Sequence, residues 1–257
     1  MFLNRKINLF IFDVDGTLMK NGVIPESTKN VIEEIREDGD LVILATGRCM
    51  GMLDEVSSQI KFDGVISNNG AYCQIGKEVI FESQINPETI NTIINDESFS
   101  LSLLTKDRFI RYKNTNKEYS QFMKYFNIEG PKKANIETVD KEKFYSLGVY
   151  SSNPDSVDQK KYKDLQFIKV CPYGFDVLNK GITKATAFSA LREVYKGKFI
   201  AFGDNLNDIA MLKEADLSVA MYEAPDEVKR AANFTTRPFD DDGIEFAVDN
   251  FVRRVLE

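Results

Sequence analysis

Short apolar runs and helical stripes alternate from Ile7 to Ser67, give way to another rhythm near Ser83, and resume after Gly181. A run that is apolar at every position must be covered on both faces, as strands of a parallel sheet are. Ile7 to Phe12 reads as a first strand. Pro25 to Asp38 reads as a helix, with Val31, Ile32 and Ile35 on one face and Gly39 as its stop. Asp40 to Thr46 (strand), Met50 to Ile60 (helix) and Gly64 to Ser67 (strand) continue the alternation. Ala71 to Ile75 and Glu78 to Glu82 form a hairpin around Gly76-Lys77.

Beyond Ser83 the strands come in pairs. A helix from Pro87 to Asn95 precedes Phe99 to Thr105 and Arg108 to Tyr112, and a further helix follows. Phe144 to Tyr150, a polar helix after Pro154, Gln166 to Val170 and Phe175 to Leu178 complete an antiparallel sheet covered by helices on one side. The first rhythm then returns with helix Lys184 to Tyr195, strand Phe199 to Gly203, helix Leu206 to Glu214 and strand Leu217 to Met221. The expected fold is α/β: a doubly wound, parallel-sheet, Rossmann-like core over 1–82 and 181–257, interrupted by an α+β insert over 83–180. The length of 257 residues suits one large unit and a smaller one.

Composition removes several classes of function. A formal net charge of -7 and the lack of a basic tract argue against nucleic acid as a partner. Ile7 to Phe12 is too short for a secretory or membrane segment, so no membrane association is expected. Three widely spaced cysteines, Cys49, Cys73 and Cys171, indicate neither a disulfide framework nor a zinc cluster, and a reducing cytoplasm fits them best. The chain has no histidine, which excludes a Ser/His triad, a histidine zinc site and phosphohistidine chemistry. Acid, base and metal work must fall to other groups, and oxygen ligands favour Mg²⁺.

Four short motifs stand where chemistry is expected. Asp13-Val14-Asp15-Gly16-Thr17 ends the first strand. Strand periodicity sends Asp13 and Asp15 to the same side, so one carboxylate can attack while its neighbour handles a proton; alternatively, they are a polar strand end entering a turn. Gly203-Asp204-Asn205-Leu206-Asn207-Asp208 follows another strand, either as a helix cap or as part of a four-carboxylate site with Asp13 and Asp15. Thr46-Gly47-Arg48 offers a hydroxyl, bare amides and a guanidinium to an oxyanion. Lys184, at an expected helix start, is an unremarkable surface lysine unless it joins the others.

In order, Asp-x-Asp-Gly-Thr, Thr-Gly-Arg, the lysine and Gly-Asp-x-x-Asn-Asp closely resemble the four motifs of the haloacid dehalogenase superfamily. An insert between the second and third motifs is similar to the Cof-type subgroup with a type II, subclass B cap. Ser67-Asn68-Asn69-Gly70-Ala71 and Asp241-Asp242-Gly243-Ile244 also fit, whereas Ala185 stands where many relatives have glycine.

The resemblance implies that Asp13 is a nucleophile forming an aspartyl-phosphate, with Asp15 as acid and then base. It implies Mg²⁺ held by Asp13, the Asp15 main-chain carbonyl and Asp204, with Asp208 behind them or acting through water. Thr46, Gly47, Lys184 and Asn207 would bind the phosphoryl oxygens, and Arg48, Asn69 and Asp176 would line the pocket. An aspartate at Asp15 favours a phosphatase acting on a small phosphorylated metabolite, such as a sugar phosphate or phosphorylated cofactor. A phosphohexomutase and a phosphate-binding sensor are the alternatives. No role is expected for Tyr112, Tyr150 or Tyr173 beyond hydrophobic contact.

Overall fold

The computed structural model describes residues 6–97, 100–112, 117–126, 130, 142–151, 153 and 159–256. The expected alternation appears as an eight-stranded sheet. Its strands are β1 (Leu9–Asp13), β2 (Leu41–Ala45), β3 (Gly64–Ser67), β4 (Tyr72–Ile75), β5 (Glu78–Glu82), β11 (Phe199–Gly203), β12 (Leu217–Ala220) and β13 (Phe234–Thr235), in the order β13-β12-β11-β1-β2-β3-β4-β5. Pairing is parallel from β13 through β3, and only the β3-β4-β5 hairpins are antiparallel.

Both faces of this sheet are covered, which is why its central strands read as unbroken apolar runs. Phe10, Phe12, Val42, Leu44, Ile200 and Phe202 share a core with Val31, Ile32 and Ile35 of helix α1 (Glu26–Glu37). Leu9, Ile11, Ile43 and Ala201 share the other core with Phe188 and Leu191 of a helix described below. Gly39, at φ +79°, takes the left-handed turn that ends the segment after α1.

A second, wholly antiparallel sheet has the order β7-β6-β8-β10-β9, built from β6 (Ser100–Leu104), β7 (Phe109–Arg111), β8 (Ser146–Tyr150), β9 (Leu165–Cys171) and β10 (Gly174–Asn179). Helix α3 (Pro87–Ile94) lays Ile90, Ile93 and Ile94 on Leu101, Leu103, Leu147, Val149 and Val177 of one face. Helix α4 (Lys117–Tyr125) packs Tyr119 and Phe122 on Tyr150, which lies on the other face. The polar helix expected after Pro154 falls outside the described residues.

Two helices differ from expectation. Met50 to Ile60 is not one helix but a single 3-10 turn, Met50–Met52, followed by the short α2 (Asp54–Ser57). The Met50 amide donates to the Lys106 carbonyl at 2.7 Å, and a Cβ on Gly51 would fall 1.9 Å from the Asp107 carbonyl oxygen. The start of this segment is therefore held against the β6-β7 turn. Helix α5 is Phe188–Val194 and starts four residues after Lys184. Lys184 sits instead in a turn closed by Thr183 and Thr186, whose backbone and hydroxyl bond each other at 2.9 and 2.7 Å.

Candidate active site

Strand β1 lies between β2 and β11, where the sheet's strand order reverses. The crevice beyond the carboxyl ends of these strands is where open α/β sheets collect ligands. Asp13 ends β1, Thr46 follows β2, and Asp204 follows β11.

Asp13 and Lys184 are both buried, and the lysine Nζ lies 2.5 Å from Asp13 Oδ1 and 2.6 Å from Asp208 Oδ1. Burial pushes the Asp13 carboxyl well above the usual range, and the charge on Asp208 adds to this. Lys184 opposes both and favours the anion. For Lys184, burial would lower the pKa, but the Asp13 and Asp208 charges more than offset it and raise it. The lysine is thus a fixed cation under the end of β1.

The other Asp208 oxygen accepts from the Asp204 and Asn205 amides, each at 3.0 Å. Asp208 thereby serves as both cap and ion-pair partner. Asp204 Oδ1 accepts from the Thr17 hydroxyl at 2.9 Å, and its carboxyl is pushed up to about 6 by burial and by Asp208. Gly16, at φ +95°, lets the chain turn beside it; a Cβ there would lie 2.4 Å from Asp204 Oδ2. Asp13, Asp204 and Asp208 offer carboxylate oxygens all within 4.8 Å of one another.

Asp13, Asp15, Thr46, Gly47, Arg48 and Asn207 line one cleft of about 790 Å³, open mouth included. Lys184 and Asp208 lie behind Asp13. Arg48 has a partner not anticipated from the sequence. It pairs with Asp15 and also donates to the Met52 carbonyl at 3.2 Å. The Thr46 hydroxyl accepts from the Arg48 amide at 3.1 Å.

Asn69 links the two sheets. It stands at φ +51°, accepts from Asn207 Nδ2 at 2.9 Å, and donates to Asp176 Oδ2 at 2.5 Å. Burial pushes the Asp176 carboxyl up to about 6, against the Asn69 hydrogen bond and the Lys184 charge. A second link runs from the Ser146 hydroxyl to Asn68 Oδ1 at 2.8 Å. Thr17 and Asn205 were not singled out in the sequence, although both lie inside its motifs. Phe109 and Tyr150 of the second sheet, with Phe122 of α4 and Phe126 just after it, also line the cleft, and nothing in their spacing signals it.

The geometry agrees with what the chain resembles in other proteins. It is 28% identical to the 5-amino-6-(5-phospho-D-ribitylamino)uracil phosphatase YcsE of Bacillus subtilis, over 96% of each chain. Among solved structures, the phosphatase BT1666 of Bacteroides thetaiotaomicron superposes with a TM-score of 0.84 at 26% identity, covering 96% of each chain. The subclass IIB sugar phosphatase BT4131 gives 0.81 at 27% identity, over 95% of this chain and 99% of that one. Residues 10–248 match the haloacid dehalogenase-like hydrolase family, and with the strand-end carboxylates, the buried lysine and the inserted sheet in their places, the chain belongs to that family of enzymes.

Proposed function

We propose that this chain is a Mg²⁺-dependent phosphatase hydrolysing small phosphomonoesters through an aspartyl-phosphate on Asp13. The observation that carries this reading is a buried carboxylate at the end of the central strand, 2.5 Å from a buried ammonium and clustered with Asp204 and Asp208. Lys184 favours the anionic form of Asp13 against its burial, the form a nucleophile requires. Asp13 attacks phosphorus, and the bond to the leaving alcohol breaks as Asp15 supplies its proton. Asp15 then takes a proton from the water that hydrolyses the acyl phosphate. Thr46, the Gly47 amide, Lys184 and Asn207 bind the phosphoryl oxygens, where electrostatic stabilisation dominates this class of reaction.

The donor set fits a hard divalent cation, since it is all oxygen, closely grouped and crowded with like charge. Asp13, Asp204 and the Asp15 main-chain carbonyl would hold Mg²⁺, with Asp208 behind them. When bound, the ion neutralises charge on the phosphoryl group and the carboxylates.

Residues 83–180 form the cap in this reading, and 1–82 with 181–257 the core. The division of strands between the two sheets supports it. The cleft is lined by residues of both sheets, an enclosure that suits a small ester rather than a polymer. Three buried, free cysteines support a reducing cytoplasm, and no helix among the described residues is long and apolar enough to cross a membrane.

Phosphate release from p-nitrophenyl phosphate tests the reading. Turnover is expected with Mg²⁺ and lost in Asp13→Asn, whose amide has the same shape but cannot attack. A folded Asp13→Asn protein with the parental rate would overturn the assignment.

A further inference from the structure

Ser102, Gly148 and Asp176 stand directly opposite one another on β6, β8 and β10, and so share a face. Their neighbours Leu101, Leu103, Leu147, Val149 and Val177 fill the opposite face, under α3. On the face turned to the cleft, the central row is therefore a hydroxymethyl, a bare backbone and a carboxylate. The Tyr150 phenol lies over the glycine and forms the floor of a shallow bay in the cleft. A Cβ on Gly148 would fall 2.7 Å from the Tyr150 hydroxyl, so the bare backbone there is what lets the phenol lie flat across β8 toward Ser102.

The bay is walled by rings. Phe122 meets Phe126 at 4.9 Å between centroids and Tyr150 edge-on at 5.1 Å; Phe109 and Leu104 extend the wall. Its polar atoms are already engaged among the described residues. The Tyr150 hydroxyl donates to Ser102 Oγ at 3.0 Å, and Asp176 is held by Asn69. The hydroxyls of a sugar placed here would leave water without matching partners along the wall, whereas a flat apolar ring would lose little hydration and gain stacking contacts. The phosphoryl-binding groups Thr46, Gly47 and Asn207 line the same cleft, so one ligand can reach both regions.

We propose that the leaving alcohol of this enzyme's substrate carries a planar aromatic or heteroaromatic ring, seated against Phe122, Phe126 and Tyr150. This inference rests on the phosphatase reading for the phosphoryl end and adds the identity of the other end.

The test compares kcat/KM of the full-length protein with Mg²⁺ for benzyl phosphate, n-butyl phosphate and glucose 6-phosphate. Benzyl phosphate should exceed each of the others by about tenfold or more, from ring burial and stacking together. Phe126→Ala, at a half-buried position, and Phe122→Ala should each cut the benzyl-to-butyl ratio severalfold. Calorimetric binding of benzylphosphonate and butylphosphonate reads the bay without turnover, and the benzyl compound should bind about tenfold tighter. Tighter benzylphosphonate binding by a protein that hydrolyses none of the esters would support the bay and overturn the phosphatase reading. Hydrolysis of glucose 6-phosphate at or above the benzyl rate would do the reverse. A benzyl-to-butyl ratio unmoved in both folded variants would also overturn the inference.

Discussion

Arg48 grips both carboxylate oxygens of Asp15, with Nη2 2.6 Å from Oδ1 and Nε 2.9 Å from Oδ2. Two carboxylates one residue apart thus have different settings. Asp13 is buried against an ammonium, whereas the Asp15 side chain is 43% exposed and aimed by a rigid fork. Lysine cannot chelate both oxygens, so Arg48→Lys should be almost as damaging as Arg48→Ala. We expect kcat/KM on an alkyl phosphate to fall roughly ten- to hundredfold, equivalent to about 1.4–2.7 kcal/mol. Near-parental activity in Arg48→Lys would show that the fork does not orient the acid.

Asp15→Asn should discriminate between leaving groups. An alkoxide needs a proton as it departs, whereas p-nitrophenolate does not. The rate on an alkyl phosphate should therefore fall by a further factor of about 10–100 beyond the loss on p-nitrophenyl phosphate. Equal losses would remove Asp15 from the role of acid.

Lys184 is the counter-charge to two buried carboxylates. Lys184→Met leaves Asp13 and Asp208 facing each other unpaired, at a cost of about 3–5 kcal/mol in urea unfolding with chelator present. Adding Asp208→Asn to that variant should recover part of the loss, and Mg²⁺ should do the same for the single variant. If Lys184→Met matches the parent in chelator, the lysine is not compensating buried charge.

Asp204→Ala removes an oxygen ligand together with the partner of the Thr17 hydroxyl. The Mg²⁺ concentration for half-maximal activity should rise at least about tenfold. Chelator should abolish activity in the parent; full activity in excess chelator would contradict the metal assignment.

Asp176 should leave a signature in the pH dependence of stability. Its carboxyl is pushed up to about 6 by burial, from an ordinary value of 3.8, against the Asn69 hydrogen bond and the Lys184 charge, with Tyr150 also nearby. The folded chain therefore holds this proton more tightly than the unfolded chain does. Its contribution is fully present below about pH 4 and lost as pH rises through about 6. Asp176→Asn removes that loss. The variant's urea stability relative to the parent should climb by about 3 kcal/mol between pH 4 and 7. Asp13 and Asp204 shift in the same direction in both proteins and cancel from the difference. A flat difference would mean that Asp176 is not buried as an acid.

The sequence was most legible where one physical demand acts alone. β1, β2 and β11 are buried on both faces, so they read as apolar runs, and the polar residues just beyond them stood out as site residues. Legibility failed where distant contacts decide. Met50 and Gly51 are held against Lys106 and Asp107 of the β6-β7 turn, and Lys184 lies in a turn with its ammonium under β1. Asn69 and Asp176 are 107 positions apart, and no local pattern announces their bond. Tyr150 makes the hydrophobic contact expected of it. Contact with α4 and with a cleft are not exclusive, and spacing along the chain does not distinguish them.

Leu9 pairs with Leu41 on one side and with Phe199 on the other. A chain emerging from its N-terminus must therefore hold β1 with one edge open while the whole insert is made. The second sheet draws only on strands between Ser100 and Asn179, so its pairings can close during that wait. Lys184 and Asp208, the partners of Asp13, are both made after that second sheet. The reactive centre thus cannot be assembled before β11 and Asp208 are made, and a half-made copy has no assembled nucleophile.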